Sequence, residues 1–204
     1  MAHRSARSSS RRQRQEVAAE AARIIATEGQ RSYLAAKHKA AERLGAASRG
    51  GLPTNAEIER ALKEWQHLYG GPEHAERLRA MRLAALDAME FLKPFQPRLV
   101  GPVLEGTADE YSRVCLHLFS EDPDAVVHFL MERGIAFEQE RRRIRWHGGD
   151  YREVDVLVVE AGEHTVEMTL MIGRDAIHPP PSPIDGNALR RIGPADLRAL
   201  IDAD

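Results

Sequence analysis

One short stretch concentrates the side chains able to do chemistry. Arg113, the single cysteine Cys115 and His117 alternate through Arg113-Val114-Cys115-Leu116-His117-Leu118. Every second side chain of a strand points to the same side, so these three would share one face. Arg113 on that face would hold an anion, and Cys115 with His117 would suit a soft metal. The same pattern also fits a strand in which Cys115 fills the core and His117 is a satisfied buried side chain, and no metal site is assigned. Upstream stand Gly101, Gly106 and Ser112. Glycine lets a backbone approach a phosphate, and a serine hydroxyl donates to one. Asp155 interrupts the apolar run Val154-Asp155-Val156-Leu157-Val158. It reads either as an acid of the same cleft or as the polar face of an antiparallel strand. Two basic groups complete the inventory. Arg141, Arg143 and Arg145 would share a strand face near Trp146, which suits single-stranded nucleic acid or guards an exposed edge strand. Arg11, Arg12 and Arg14 lie in an Arg- and Ser-rich arm that would touch nucleic acid or be a solvated tail.

The stretch Leu99-Val100-Gly101-Pro102-Val103-Leu104-Glu105-Gly106-Thr107-Ala108-Asp109-Glu110-Tyr111-Ser112-Arg113-Val114-Cys115-Leu116-His117-Leu118 resembles the signature of the polymerase-beta-like nucleotidyltransferase superfamily. In that family a strand ends in Gly-Ser, a further Gly follows, and Ser-Asp-apolar-Asp opens the next strand, with a third acid on a later strand. The paired carboxylates project from one face and hold the Mg²⁺ ions that clamp the attacking and leaving oxygens. Gly101, Gly106 and Ser112 stand at the family's positions. Pro102 replaces the phosphate-binding Ser, Arg113 the first Asp and Cys115 the second. Asp155 is taken as the match for the third acid. The resemblance covers roughly residues 95–172, and it implies the fold and the descent of a degenerate bacterial member while counting against the activity. It requires Arg113, Cys115 and Asp155 to converge on one cleft.

The elements that position these residues follow from periodicity. Residues 15–93 carry helical spacing in four stretches. Gly29 stops the first, Gly45 the second, Gly70-Gly71-Pro72 the third and Pro94 the fourth. Thr54 and Glu57 form a capping box at the start of the third. Residues 46–51 read as a loop. Beyond Pro97 the pattern turns strand-like over Leu99–Leu104 and Val114–Phe119. A helix opens at Asp122-Pro123, and three further strands follow over Ile135–Trp146, Val154–Val159 and Val166–Ile172. Ala161-Gly162-Glu163 reads as a hairpin. The fold class is therefore α+β: a disordered basic arm (1–14), a helical region (15–93), a nucleotidyltransferase-like mixed sheet flanked by helices (94–178), and a Pro-rich linker with a closing helix (179–204). Lys37, Lys39 and Arg43 in the second helix suit a DNA-reading unit, but interleaved acids favour a supporting bundle or a homodimer interface.

Composition narrows the function class without naming a ligand. The 204 residues are 43% hydrophobic and 29% charged, with a net charge of −2. The arm holds five arginines and no acid through Gln15, so the remainder is net acidic. A single cysteine excludes an intramolecular disulfide and fits a reducing compartment. No apolar run approaches the roughly 18 residues that cross a bilayer, and a cytoplasmic location is expected. There is no Walker A loop, dinucleotide fingerprint, nucleophile elbow or His-Glu-x-x-His. The leading expectation is a catalytically degenerate nucleotidyltransferase-like protein, not an enzyme, with a binding or regulatory role toward a protein, nucleotide or RNA, and with no cofactor. One alternative is an active transferase using Mg²⁺ held by Asp155 with Glu105, Asp109 or Glu110. Another is a nucleic-acid-binding module built on the arm and Arg141–Arg145.

Overall fold

The computed structural model describes residues 2–46, 51–122, 124–173 and 177–203, with side chains from Ser10 onward. Most of the expected loop at 46–51, and Pro123, lie outside the described residues. The chain is α+β and divides into two compact units, residues 1–75 with 109–111 and 183–185, and the remainder.

The first unit is helical. Helix α1 (Ala2–Glu28) extends back through the expected arm, because no glycine or proline interrupts residues 2–28. Among the described side chains its buried face begins at Val17, and Gly29 at φ +64° ends the helix. Helix α2 (Tyr33–Arg43) is capped by Ser32, whose hydroxyl accepts the Ala35 amide. Helix α3 (Asn55–Tyr69) carries the Thr54–Glu57 capping box, complete in both directions. The capping amide of Thr54 holds the Glu57 carboxyl below its ordinary pKa. Val17, Ala21 and Ile24 of α1 meet Ala36 and Ala40 of α2 and Ile58 of α3, small residues that let helices approach closely. Arg43 pairs with Glu28 and Glu20, and Lys39 with Glu28. Lys37 donates to Pro53 O and Asn55 Oδ1. The basic side chains of α2 that suit DNA reading are thus engaged within the unit.

The second unit holds a five-stranded sheet in the order β1-β2-β5-β4-β3. Helix α4 (Gly71–Phe91) enters it from Glu76. Strand β1 (Arg98–Val100), the four-residue helix α5 (Pro102–Glu105) and β2 (Val114–Ser120) follow. Helix α6 (Ala125–Glu132) leads to β3 (Glu138–Arg145), and a turn through Gly148 and Gly149 leads to β4 (Tyr151–Ala161). A two-residue hairpin links β4 to β5 (His164–Ile172), and α7 (Pro194–Asp202) closes the unit. The β2–β5 pair is parallel; β1–β2, β5–β4 and β4–β3 are antiparallel. Leu99, Leu116, Leu157 and Met168 form one sheet face, buried under Met81 and Met89 of α4, Leu130 of α6 and Leu197 of α7.

The expected single strand Leu99–Leu104 is two elements. Gly101 adopts φ 75°, ψ −157°, a conformation essentially reserved for glycine, and breaks β1. Pro102 then starts α5, where its fixed φ favours the helix and its missing N–H costs nothing. The Pro-rich stretch is tied back to the sheet. Leu99 and Ile192 exchange both backbone hydrogen bonds at 2.9 and 3.2 Å. Among the described residues, no helix is long and apolar enough to cross a membrane.

Candidate functional site

The face of the sheet opposite the main core carries Arg113, Cys115 and His117. Strand register decides which they are. Val100 lies beside Cys115, Cys115 beside Glu167, and Glu167 beside Val158. These positions share a face with Arg113, His117 and Arg142. Gly101 sits directly over Cys115: a Cβ built on it would lie 3.6 Å from Cys115 Cβ. The half-buried thiol lies 3.6 Å from the Arg113 carbonyl oxygen.

Glu167 is the organising group of this face. The residue is 9% exposed, and its carboxylate accepts from Arg142 Nη1 at 2.5 Å and Nη2 at 3.1 Å, and from Arg113 Nη1 at 3.3 Å. Arg142 also pairs with Glu140 at 3.2 Å. The hydrogen bond to Glu167 raises the Arg142 pKa above its ordinary value, which locks the guanidinium in its charged form. Two cations and two carboxylates therefore balance.

Asp155 stands elsewhere, which corrects the sequence expectation. It pairs with Arg141 across β4–β3, its carboxylate 3.5 Å from Arg141 Nε, on the face opposite Cys115. Arg113 and Cys115 converge, and Asp155 does not join them. The adjacent acid is Glu167, because β5 and not β4 neighbours β2. The other acids proposed for a rearranged site fall in different elements. Glu105 lies on α5, while Asp109 and Glu110 belong to the first unit, where Asp109 caps the Tyr111 amide.

The remaining candidates separate in the same way. Gly106, at φ 79°, faces Arg82 and Leu78 of α4, not Cys115. Ser112 and Arg113 immediately precede β2, which carries Cys115. His117 is 4% exposed, and its Nδ1 accepts from Arg191 Nε at 3.0 Å. Burial first, and the Arg191 charge second, push its pKa down to about 3. It is thus a neutral acceptor that holds Arg191 through Nδ1. Among the described residues, no group of three His, Cys, Asp or Glu side chains is placed to hold a metal ion.

The basic strand is edge strand β3. Arg141 pairs with Asp155, Arg143 stacks on Tyr151 with its guanidinium carbon 4.3 Å from the ring centroid, and Arg145 is exposed. Trp146 is buried beneath Arg152 and presents no free ring for a base. Arg12 pairs with Glu16 and Arg14 with Glu57, while Arg11 is exposed. No family model, curated protein or solved structure matches this chain.

Proposed function

We propose that this chain is a nucleotidyltransferase-like protein without transferase activity, serving a binding or regulatory role. The observation that carries this reading is the state of Glu167. It is the acid beside Cys115, and both of its oxygens are engaged by guanidinium groups. A two-metal site needs carboxylates with free lone pairs. Here a cation and a thiol stand where the resemblance calls for two aspartates, so the residues do not fit Mg²⁺. The order of α4, β1, a glycine-flanked turn, β2 and a strand parallel to β2 supports common descent with that superfamily. Calorimetric titration with ATP, GTP, CTP and UTP, with and without Mg²⁺, tests the reading. The expected result is no metal-dependent binding and no pyrophosphate release. Metal-dependent nucleotide binding with pyrophosphate release would overturn it.

A further inference from the structure

Strand β3 ends the sheet, spans eight residues and exposes most of its side chains. The backbone groups that it offers on its outer side follow from the ladder. Ala161 and His164 close the two-residue β4–β5 hairpin, and a closing pair of this kind is hydrogen-bonded. Bonded and non-bonded pairs alternate, so the odd-numbered residues of β4 bond β5 and its even-numbered residues bond β3. Trp146 N, which donates to Asp150 O at 2.6 Å at the head of the β3–β4 hairpin, keeps the same alternation. The register sets even against even, so the N–H and C=O groups of Gln139, Arg141, Arg143 and Arg145 point away from β4. Among the described residues, no backbone hydrogen bond outside the ladders involves residues 138–145.

The charge along this edge selects the partner. The side chains of the same four residues share one face, and all are exposed. Three are arginines, and across β4 they meet two acids. Arg141 pairs with Asp155 at 3.5 Å, Arg143 stands opposite Glu153, and Arg145 stands opposite Tyr151. That face therefore keeps a positive excess. The other face carries Glu138 and Glu140, with Arg142 already held by Glu167. A second copy does not suit the edge. Side chains opposite each other in a sheet share a face, so a two-fold pairing of β3 strands centred on Arg141, Arg142 or Arg143 sets arginine against arginine. A nucleic acid does not suit it either, since a phosphodiester chain has no backbone N–H for the outward carbonyls. We propose that the outer edge of β3 takes up an extended acidic segment of a partner protein as an added strand, with acids at alternate residues facing Arg141, Arg143 and Arg145 and neutral residues between them. This surface is separate from the Glu167 cleft and goes beyond the function proposed for it.

The test is amide NMR of the full isotope-labelled chain at low salt. The probe is a capped peptide alternating Thr and Glu over about nine residues, the length of an ordinary strand. It should bind saturably, shift the amides of Gln139, Arg141, Arg143 and Arg145, and slow the hydrogen exchange of those four. A Thr-Lys peptide should bind about tenfold or more weaker, from three cross-strand charge pairs changing sign. A fully N-methylated Thr-Glu peptide, which keeps the charge and has no backbone N–H to donate, should not bind. Arg141→Gln combined with Arg143→Gln and Arg145→Gln should weaken Thr-Glu binding about tenfold. If that variant does not fold, the three peptides compared on the wild-type chain decide. Absence of saturable binding overturns the proposal. So does a Thr-Lys or N-methylated peptide that binds as tightly as Thr-Glu, or binding that leaves the four edge amides unshifted. Full affinity in the folded triple variant overturns it as well, as does oligothymidylate binding the same amides more tightly than the peptide.

Discussion

Acid should weaken the second unit through His117, and the size of the effect follows from the geometry. The guanidinium of Arg191 has no acceptor, so the Nδ1 atom that it contacts at 3.0 Å must be unprotonated. Protonating the imidazole would place a donor against a donor and bury a charge beside a charge. The folded pKa of about 3 therefore lies well below the ordinary value of 6.5. Between those two values the unfolded chain binds a proton that the folded one refuses, so stability rises with pH. The contribution is complete above the ordinary value and is lost as pH falls from there toward 3. Going from about pH 7 to about pH 5, His117 alone should remove about 2 kcal/mol.

The comparison that isolates this term is wild type against His117→Asn. The asparagine Oδ1 keeps an acceptor for Arg191 and does not titrate. Urea unfolding, followed by Trp146 fluorescence in a Trp65→Phe background, reports on the sheet unit. Carboxylates with lowered pKa, such as Glu20 beside Arg23, destabilise both proteins alike on acidification and cancel in the difference. The wild type should lose the extra ~2 kcal/mol across this interval and the variant should not. Parallel stability curves would refute the argument, since they would mean that His117 carries a proton in the folded state or is solvated.

Three further outcomes test the face around Glu167. Glu167→Gln leaves Arg113 and Arg142 without their shared carboxylate and should cost about 2–3 kcal/mol in urea unfolding, less than a fully buried pair because both arginines are partly exposed. Gly101→Ala should cost about 1–3 kcal/mol from backbone conformation alone. Its new Cβ meets Cys115 only at ordinary contact distance, so adding Cys115→Ala should restore nothing. Replacing Arg113→Asp together with Cys115→Asp should create Mn²⁺-dependent stability, about 1.4 kcal/mol at ten times the dissociation constant by thermal melting, where the wild type shows none. A folded double variant indifferent to Mn²⁺ would count against the shared geometry with metal-dependent transferases.

Much of the fold is legible in the residues, and the reasons for the exceptions are physical. Thr54 with Glu57 announces the third helix because a capping box is a local event. Alternation reveals β2 and β5 because each has a buried face. Sheet order, by contrast, is a long-range property. Asp155 and Glu167 are equivalent in the sequence, each the lone acid of its expected apolar stretch, Val154–Val159 and Val166–Ile172. Only the parallel pairing of β2 with β5 places Glu167 beside Cys115 and leaves Asp155 to Arg141. Arg142 is hidden for the same reason: its neighbours in the basic run face the other way, and its partner lies 25 residues along the chain. The break after Val100 is visible in Gly101-Pro102, but an apolar run through Leu104 masks it.

In the Arg113–Glu167–Arg142 arrangement one nearly buried carboxylate is balanced by two guanidinium groups. Three carboxylates converging on one spot repel each other and depend on divalent cations for balance. Under the proposed descent, a cation and a neutral thiol in place of two of them remove that dependence. The third acid then needs a positive partner, and the chain supplies two guanidinium groups, tethered and always charged. Any free cation competing for Glu167 has to displace two guanidinium groups already at hydrogen-bond distance. The network also ties the edge strand to the centre of the sheet, since Arg142 on β3 reaches past β4 to Glu167 on β5. β3 exposes most of its side chains and buries little apolar surface, so its register needs such a tie. The charged groups around Glu167 thus hold three strands of the sheet in register.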